Sequence, residues 1–283
     1  MTADALRARL ARREVVVMPG VWDATSALVA ERAGFHSLFV SGFAVSGALL
    51  GEPDVGHLSQ IEMAETARRI CHAVPALSVV VDADTGYGNA MNVMRTVELW
   101  EEAGAAGMFL EDQVWPKKCG HMPNKQVVPA DDWLAKVRAA LDHRTELVVT
   151  ARTDARGALG LDEAIERGKR ARDVGVDAVF IEAPASESEL DTIARELPDV
   201  VLVANMAEKG GIAHLTAADL ADRGFRLLVS PVGLLFAAVD AMTTAASTLA
   251  ATGSLGAVRP GRFDEFTDLV GLPEHQTTEE RYR

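Results

Sequence analysis

The stretch VVVDADTGYGN at residues 79–89 joins a β-branched run to two acids at alternate positions. Such a run is typical of a strand buried on both faces. Comparable runs occur at residues 15–18, 37–41, 107–111, 147–150, 178–182, 200–203 and 226–230. Stretches with the apolar spacing of helices separate them. About eight strand–helix units therefore follow one another, which is the number that a closed (β/α)8 TIM barrel requires.

Polar side chains follow the predicted strands at their carboxyl ends. An open, doubly wound sheet would show the same alternation of strands and helices, but the unit count and these polar residues favour a barrel, whose strand ends converge on one mouth. The residues concerned are Ser41, Asp82, Asp84, Glu111, Arg152, Asp154, Glu182 and Asn205. We expect a single barrel domain over residues 1–283, with a C-terminal helical extension at about 253–283.

Charge and cysteine content restrict the partners. The chain has 28 Lys and Arg against 41 Asp and Glu, a formal net charge of -13, which disfavours nucleic acid and anionic membranes. An anionic substrate then needs a locally positive pocket, supplied by a few basic residues or a metal ion. With two cysteines, Cys71 and Cys119, no disulfide framework is expected. We find neither a signal-like N-terminus nor an uninterrupted apolar run near the ~18 residues of a membrane span, and expect a cytoplasmic protein.

The Ala-rich segment at residues 233–252 has the pattern of a well-buried helix after the eighth strand. Its apolar surface fits either a contact between subunits of a homo-oligomer or packing against its own barrel. Residues 263–266 open another short helix.

Asp82 and Asp84, at positions i and i+2 where a strand ends, can both face the barrel mouth. Paired carboxylate oxygens suit Mg²⁺, which keeps several waters and needs only one or two protein carboxylates. Glu111, at the end of the next strand, can add an outer contact. Two solvated acids at the start of a loop are the alternative.

The segment at residues 111–121 is too irregular for a helix and is predicted to be a loop at the mouth. Cys119 lies beside lysines, including Lys117, and beside His121, a setting that lowers a thiol pKa and suits proton transfer. His121 can equally be an ordinary loop residue. Gly120 gives the loop a point of freedom. Cys71, in a helix with apolar neighbours, is interpreted as inert.

Five motifs carry a resemblance to a known family: KKCGH at 117–121, DAD at 82–84, LLGEPDVG at 49–56, ARTDA at 151–155 and FIEAP at 180–184. Together they resemble the isocitrate lyase/phosphoenolpyruvate mutase superfamily over nearly the whole chain. The KKCGH loop is similar to that of the lyase branch, which includes 2-methylisocitrate lyases, 2,3-dimethylmalate lyases and petal-death proteins.

The resemblance implies a Mg²⁺-dependent reaction, with Mn²⁺ as a possible substitute, on a small carboxylate. Asp82 would bind the ion, while Asp84 and Glu111 hold its water shell. Cys119 would protonate the carbanion left by cleavage, and Arg152 would grip a substrate oxygen. The other implied catalytic residues are His121, Lys117 and Asp54, and the other implied pocket residues are Ser41, Gly42, Phe43, Gly120, Glu182, Asn205 and Pro231.

The function that follows is cleavage of a carbon–carbon bond in a small 2-hydroxy di- or tricarboxylate, similar to 2-methylisocitrate or 2,3-dimethylmalate, giving a 2-keto acid and a carboxylate. Oxaloacetate hydrolysis, a carboxyphosphonoenolpyruvate mutase-like reaction and a catalytically silent binding barrel are the alternatives. Three places depart from the family pattern: Phe39 provides no phenol for proton transfer, Phe43 would reshape the pocket, and the pair Ile212-Ala213 puts recognition of a large tricarboxylate in doubt. The resemblance also implies a dimer or tetramer that can exchange its eighth helix between subunits.

Overall fold

The computed structural model describes residues 2–120, 122, 124–206, 211–256, 258 and 261–283. Eight parallel strands close into a barrel in sequence order, with β1 paired to both β2 and β8. The strands are β1 Val16–Val21, β2 Ser37–Val40, β3 Ser78–Asp82, β4 Gly107–Glu111, β5 Val148–Thr153, β6 Ala178–Ile181, β7 Val201–Asn205 and β8 Phe225–Ser230. The prediction of a (β/α)8 barrel is confirmed.

Helices surround the barrel and extend beyond it. They are α1 Thr2–Ala11, α2 Ala24–Arg32, α3 Gly42–Val45, α4 Gln60–Ala73, α5 Ala90–Ala103, α6 Ala130–His143, α7 Ala155–Leu159, α8 Leu161–Asp173, α9 Glu187–Glu196, α10 Ala217–Asp222, α11 Gly233–Thr252, α12 Phe263–Leu269 and α13 Leu272–Glu280. A π-helical segment, Ser46–Leu50, directly continues α3. Gly34, Gly104 and Gly175 have φ near +90°, so each adopts the left-handed conformation expected where a helix ends.

Two apolar layers fill the molecule, one between the strands and the outer helices and one inside the barrel. The inner layer includes three phenylalanines, Phe39, Phe109 and Phe180, whose rings contact one another at centroid distances of 4.9 and 5.6 Å. Each lies two residues before a polar residue at its strand end, so ring and polar group face the same interior. The rings therefore form an apolar floor beneath the mouth. At the opposite end, Leu6 and Leu10 of α1 are buried against the barrel.

Helix α11 departs from its prediction. The segment is helical, but no residue of α11 is buried, and Phe236, Val239, Met242 and Leu249 are all strongly exposed. Packing against its own barrel is thus the wrong alternative for most of the helix. By length and apolar composition alone α11 could cross a membrane, because its many Ala, Leu, Val, Phe and Met residues keep the mean hydropathy high although Thr, Ser and Asp240 interrupt the apolar run.

Candidate active site

The carboxyl ends of the strands meet around a small cavity of about 60 Å³. Most of the residues predicted for the site line it. They are Ser41, Phe43, Asp54, Asp82, Lys117, Cys119, Gly120, Arg152, Glu182, Asn205 and Pro231. Asp84 and Glu111 are buried beside it, and His121 lies outside the described residues. Side chains as far apart in sequence as Ser41 and Pro231 are brought together because every strand ends at the same rim.

Lys117 connects the mouth loop to two acids. Its Nζ lies 2.5 Å from Oδ1 of Asp54 and 2.7 Å from Oδ1 of Asp84, and all three side chains are buried. The backbone N–H of Asp84 donates to Oδ1 of Asp82 at 3.1 Å. The charge of Lys117 is therefore neutralised by carboxylates, which corrects the expectation that this lysine makes the surroundings of Cys119 electropositive.

Arg152 lies among three carboxylates. Its guanidinium donates twice to Asp154, at 3.0 and 3.3 Å, and it also forms ion pairs with Glu111 at 3.4 Å and Glu182 at 3.5 Å. Asn205 Nδ2 lies 3.4 Å from both oxygens of Glu182. A buried guanidinium with donors in a planar fork can grip a substrate carboxylate or carbonyl oxygen as well as it grips these acids.

The backbone of the mouth loop, which carries Cys119 and Gly120, packs closely against Arg152 and its carboxylate partners. A Cβ on Gly120 would lie 2.5 Å from Nη2 of Arg152 and 2.9 Å from Cδ of Glu182, so the close approach requires glycine at this position. The backbone N–H of Cys119 donates to the carbonyl oxygen of Asp54 at 3.1 Å. Cys119 is partly buried and lines the cavity, whereas burial raises the pKa of Cys71 to about 12 and leaves that thiol protonated and inert.

The remaining wall is built from α3 and from the residues after β8. Ser41 caps α3 by accepting the N–H of Ala44 at 3.3 Å, which fixes the position of its hydroxyl oxygen. A Cβ on Gly42 would lie 2.9 Å from Oδ2 of Asp82, so this backbone passes directly over the carboxylate. Phe43 makes an edge contact with Phe236 of α11, at 6.1 Å between centroids. The first turn of α11 therefore supports the wall of the cavity.

Burial dominates the electrostatics of the mouth. It raises the pKa of Asp84 to about 7 against the opposing effect of Lys117, and it raises the pKa of Glu111 well above its usual range. Burial also acts to lower the pKa of Lys117, but Asp84 and Asp82 outweigh it and hold that pKa well above its usual value. The acids Asp54, Asp84, Glu111, Asp154 and Glu182 form ion pairs with Lys117, Lys125 or Arg152, and Lys118 also lines the cavity.

The acids at the ends of β3 and β4 fit a hydrated divalent cation. Oε1 of Glu111 is buried without a hydrogen-bond partner, and Asp82 forms no ion pair with a cation in the described ranges. No three Asp, Glu, His or Cys side chains of the described chain form a ready chelating cluster. Mg²⁺ does not need one, because it keeps several waters and uses one or two carboxylates. Asp82, with Glu111 nearby, provides that kind of site.

Two buried groups near the mouth were missed by the sequence analysis. Lys125 ends in an ion pair with Asp154. Asp112 accepts hydrogen bonds from Thr153 Oγ1 at 2.5 Å and from the backbone N–H of Asp154 at 2.8 Å, and it is ion-paired to Arg167 at 3.0 Å. Asp112 stands directly after Glu111 in the segment already singled out, but nothing local in the sequence indicates the partners of either residue.

Comparison with known proteins identifies the family. A family profile described as phosphoenolpyruvate phosphomutase matches residues 6–250. The solved structure of 2,3-dimethylmalate lyase, described as a PEP mutase/isocitrate lyase superfamily member, superimposes with a TM-score of 0.95 at 33% identity and covers 100% of this chain and 95% of its own. The chain belongs to the PEP mutase/isocitrate lyase superfamily.

Curated relatives within this superfamily carry different activities in their names. The chain is 40% identical over 285 residues to 2,3-dimethylmalate lyase of Eubacterium barkeri, covering 99% of this chain and 98% of that protein. It is 43% identical over 276 residues to the chloroplastic carboxyvinyl-carboxyphosphonate phosphorylmutase of Arabidopsis thaliana, covering 95% and 81%. A structure of oxaloacetate acetylhydrolase with 3,3-difluorooxalacetate superimposes with a TM-score of 0.94 at 32% identity over 99% and 97% of the two chains. The prediction of a superfamily enzyme with lyase relatives is confirmed.

Proposed function

We propose that this protein is a Mg²⁺-dependent lyase that cleaves a carbon–carbon bond in a small 2-hydroxy dicarboxylate of the 2,3-dimethylmalate kind, with 2-methylisocitrate as the larger alternative. The observation that carries the proposal is that Cys119, Arg152 and Asp82 line one cavity. The similarity to 2,3-dimethylmalate lyase over almost the whole length of both chains supports the same class of substrate.

In the proposed reaction the substrate hydroxyl gives its proton to a carboxylate of the mouth and becomes the carbonyl of a 2-keto acid while the adjacent carbon–carbon bond breaks. The bonding electron pair stays on the departing carbon as an enolate, which takes a proton from Cys119, and the proton held by the carboxylate returns to the thiolate before the next turnover. Arg152 holds a substrate oxygen and fixes the substrate for cleavage. A bound Mg²⁺ would supply charge neutralisation and a lower pKa for the substrate hydroxyl, and Asp82, with Asp84 and Glu111, would hold it.

The apolar floor of Phe39, Phe109 and Phe180 limits access of water from within the barrel. An enolate formed above it is protected from stray proton donors on that side, which favours transfer from Cys119. Phe39 brings no hydroxyl group to this floor, so the thiol is the proton donor that we assign. The Mn²⁺ ion, also an oxygen-seeking divalent cation, is proposed as a substitute metal.

The test is a substrate panel. Purified protein is incubated with Mg²⁺ and 2,3-dimethylmalate, 2-methylisocitrate, isocitrate or oxaloacetate, and keto-acid release or oxaloacetate loss is followed. We expect keto acid from one of the hydroxy acids, stopped by EDTA and restored by added Mg²⁺. Silence towards all three hydroxy acids would contradict the proposal.

Oxaloacetate hydrolysis is the second candidate, because the oxaloacetate acetylhydrolase structure superimposes over nearly the whole chain. Loss of oxaloacetate with release of oxalate and acetate would select it. Phosphonate chemistry, the activity in the name of the 43% identical relative, is tested with a carboxyphosphonate substrate.

We further propose a cytoplasmic homo-oligomer, a dimer or tetramer, in which α11 is covered by another copy and can be exchanged between subunits. The exposed apolar residues of α11 and the contact of Phe236 with Phe43 at the mouth support a protein partner rather than lipid. Asp240, near the middle of α11, would be costly at the centre of a bilayer. Neither nucleic acid nor a membrane is proposed as a partner.

A further inference from the structure

We infer that Lys125 is a positioning residue that clasps the loop carrying Cys119 onto the barrel mouth and joins loop closure to the placement of Arg152. The inference deepens the proposed function, on which its kinetic part rests. It is carried by one buried ammonium group that bridges the loop backbone and a strand-end carboxylate.

Both contacts of the clasp are short. Nζ of Lys125 donates to the carbonyl oxygen of Gly120 at 2.5 Å and to Oδ1 of Asp154 at 2.5 Å, and the side chain is 5% exposed. Gly120 is the residue whose backbone presses onto Arg152 and Glu182. Lys125 therefore holds the part of the loop that closes the cavity beside Cys119.

Asp154 is a fixed anchor for this clasp. Its backbone N–H donates to the buried Asp112 at 2.8 Å, and Asp112 is itself ion-paired to Arg167 of α8. The two carboxylate oxygens of Asp154 are shared between Lys125 and Arg152. With the loop open, Asp154 loses the ammonium group and keeps Arg152 alone, so the closed loop and the orientation of the guanidinium depend on the same carboxylate.

Gly157 of α7, which has no side chain, leaves room for the side chain of Lys125. A Cβ on Gly157 of α7 would lie 3.4 Å from Cε of Lys125, so the end of the lysine side chain packs against this helix. Charge-assisted hydrogen bonds of this kind are about twice as strong as neutral ones when they are shielded from water. Losing two of them is expected to shift the closed–open equilibrium of the loop by about tenfold or more.

Hydrogen–deuterium exchange tests the clasp without any substrate. The reporters are the amides of Lys118 and Cys119, which donate to Gln113 Oε1 at 3.0 Å and to the Asp54 carbonyl at 3.1 Å. Lys125→Met removes the charge and keeps the stem. We expect these loop amides to exchange about tenfold faster in this variant, while amides of β4 and β5 exchange as in the wild type.

The matched control is Lys169→Met, which removes a surface lysine paired with Glu196 at 2.8 Å on the outside of the barrel. This control should leave loop exchange unchanged. Lys125→Arg keeps the cation with a different shape and should restore at least part of the protection. Unchanged loop exchange in Lys125→Met overturns the inference. If Lys125→Met does not fold, Lys125→Gln decides, because it also removes the charge: faster loop exchange with intact strands supports the clasp, and wild-type exchange overturns it.

The kinetic readout uses the substrate found in the panel. Lys125→Met is expected to lower kcat about tenfold while KM changes less than threefold, because Arg152 still binds substrate but Cys119 is seldom in place. An unchanged kcat overturns the coupling. If no substrate of the panel is turned over, the proposed function fails while the exchange experiment still decides the clasp.

Discussion

The barrel mouth and helix α11 both break the usual rule of burial, in opposite directions. At the mouth, charged side chains such as Asp84 and Lys117 are 2% and 3% exposed, whereas on α11 the apolar Met242 is 61% exposed. Buried charges are costly unless they are paired, and exposed apolar surface is costly unless something covers it. At the mouth, ion pairs within the chain offset the cost of burying the charges. The described part of the chain does not cover the apolar side chains of α11 in the same way. The difference shows that the barrel pairs its own buried charges at the site, and it is the basis of our proposal that another copy of the chain covers α11.

The largest effect is expected from Arg152→Met, which leaves Glu111, Asp154 and Glu182 buried around a neutral side chain. Removing one partner of a buried ion pair typically costs about 3–5 kcal/mol of unfolding free energy, to be measured by urea denaturation at pH 8. Turnover should be lost as well. Arg172→Met, which removes a surface pair with Asp173, is the control and should cost less than about 1 kcal/mol.

Lowering the pH should reduce the loss of unfolding free energy caused by Arg152→Met. Burial raises the pKa of Asp154, but Arg152 and Lys125 outweigh it and leave the pKa lowered to about 2. In the wild type Asp154 thus contributes stability above about pH 4, which is lost as the pH falls towards 2. Without Arg152 the pKa rises, and protonation relieves the unpaired charge. A destabilisation by Arg152→Met that is as large at pH 5 as at pH 8 would contradict this explanation.

Met242→Asp tests the other half of the comparison. A carboxylate placed in a covered apolar contact should weaken self-association by about 2–4 kcal/mol, visible as smaller species in sedimentation velocity at micromolar concentration. Met91→Asp is the matched control, because Met91 on α5 is 68% exposed and should tolerate a charge. If the wild-type protein is monomeric at this concentration, the proposal that another copy of the chain covers α11 is contradicted.

A smaller effect is expected from Gly120→Ala, which asks how tightly the mouth is packed. The added methyl group would meet Arg152 and Glu182, so the loop must move outward, and we expect kcat/KM to fall about tenfold with little change in melting temperature. Gly47→Ala, where nothing lies within 4 Å of the added Cβ, should be close to wild type. Equal kinetics for the two variants would show that the loop does not pack on the cluster.

The sequence predicts the barrel well because each strand has its own β-branched run and each strand end its own polar residue. The observed strand bounds differ from the predicted ones where polar residues of a strand lie inside the barrel. We predicted β5 at residues 147–150, but it continues to Thr153, because Arg152 and Thr153 are buried at the mouth. Side chains two residues apart on a strand point to the same side, which also explains why Phe39, Phe109 and Phe180 form a floor beneath the polar residues of the mouth.

The partners of the charged residues could not be predicted, because their contacts join distant parts of the chain. Lys117 meets Asp54 across 63 positions, and Lys125 meets Asp154 across 29. The sequence therefore could not show that two carboxylates neutralise the charge of Lys117, one of the two lysines beside Cys119. The exposure of α11 could not be predicted either, since composition indicates that a helix needs cover but not which chain provides it.

The most direct test of the central claim compares two cysteine variants on the substrate that the panel identifies. Cys119→Ser should lower kcat by about 10²–10⁴, the contribution of a positioned proton donor, with an unchanged melting temperature. Cys71→Ser, away from the cavity on α4, should retain wild-type turnover per folded molecule. Full turnover by Cys119→Ser would contradict the assignment of this thiol as the proton donor.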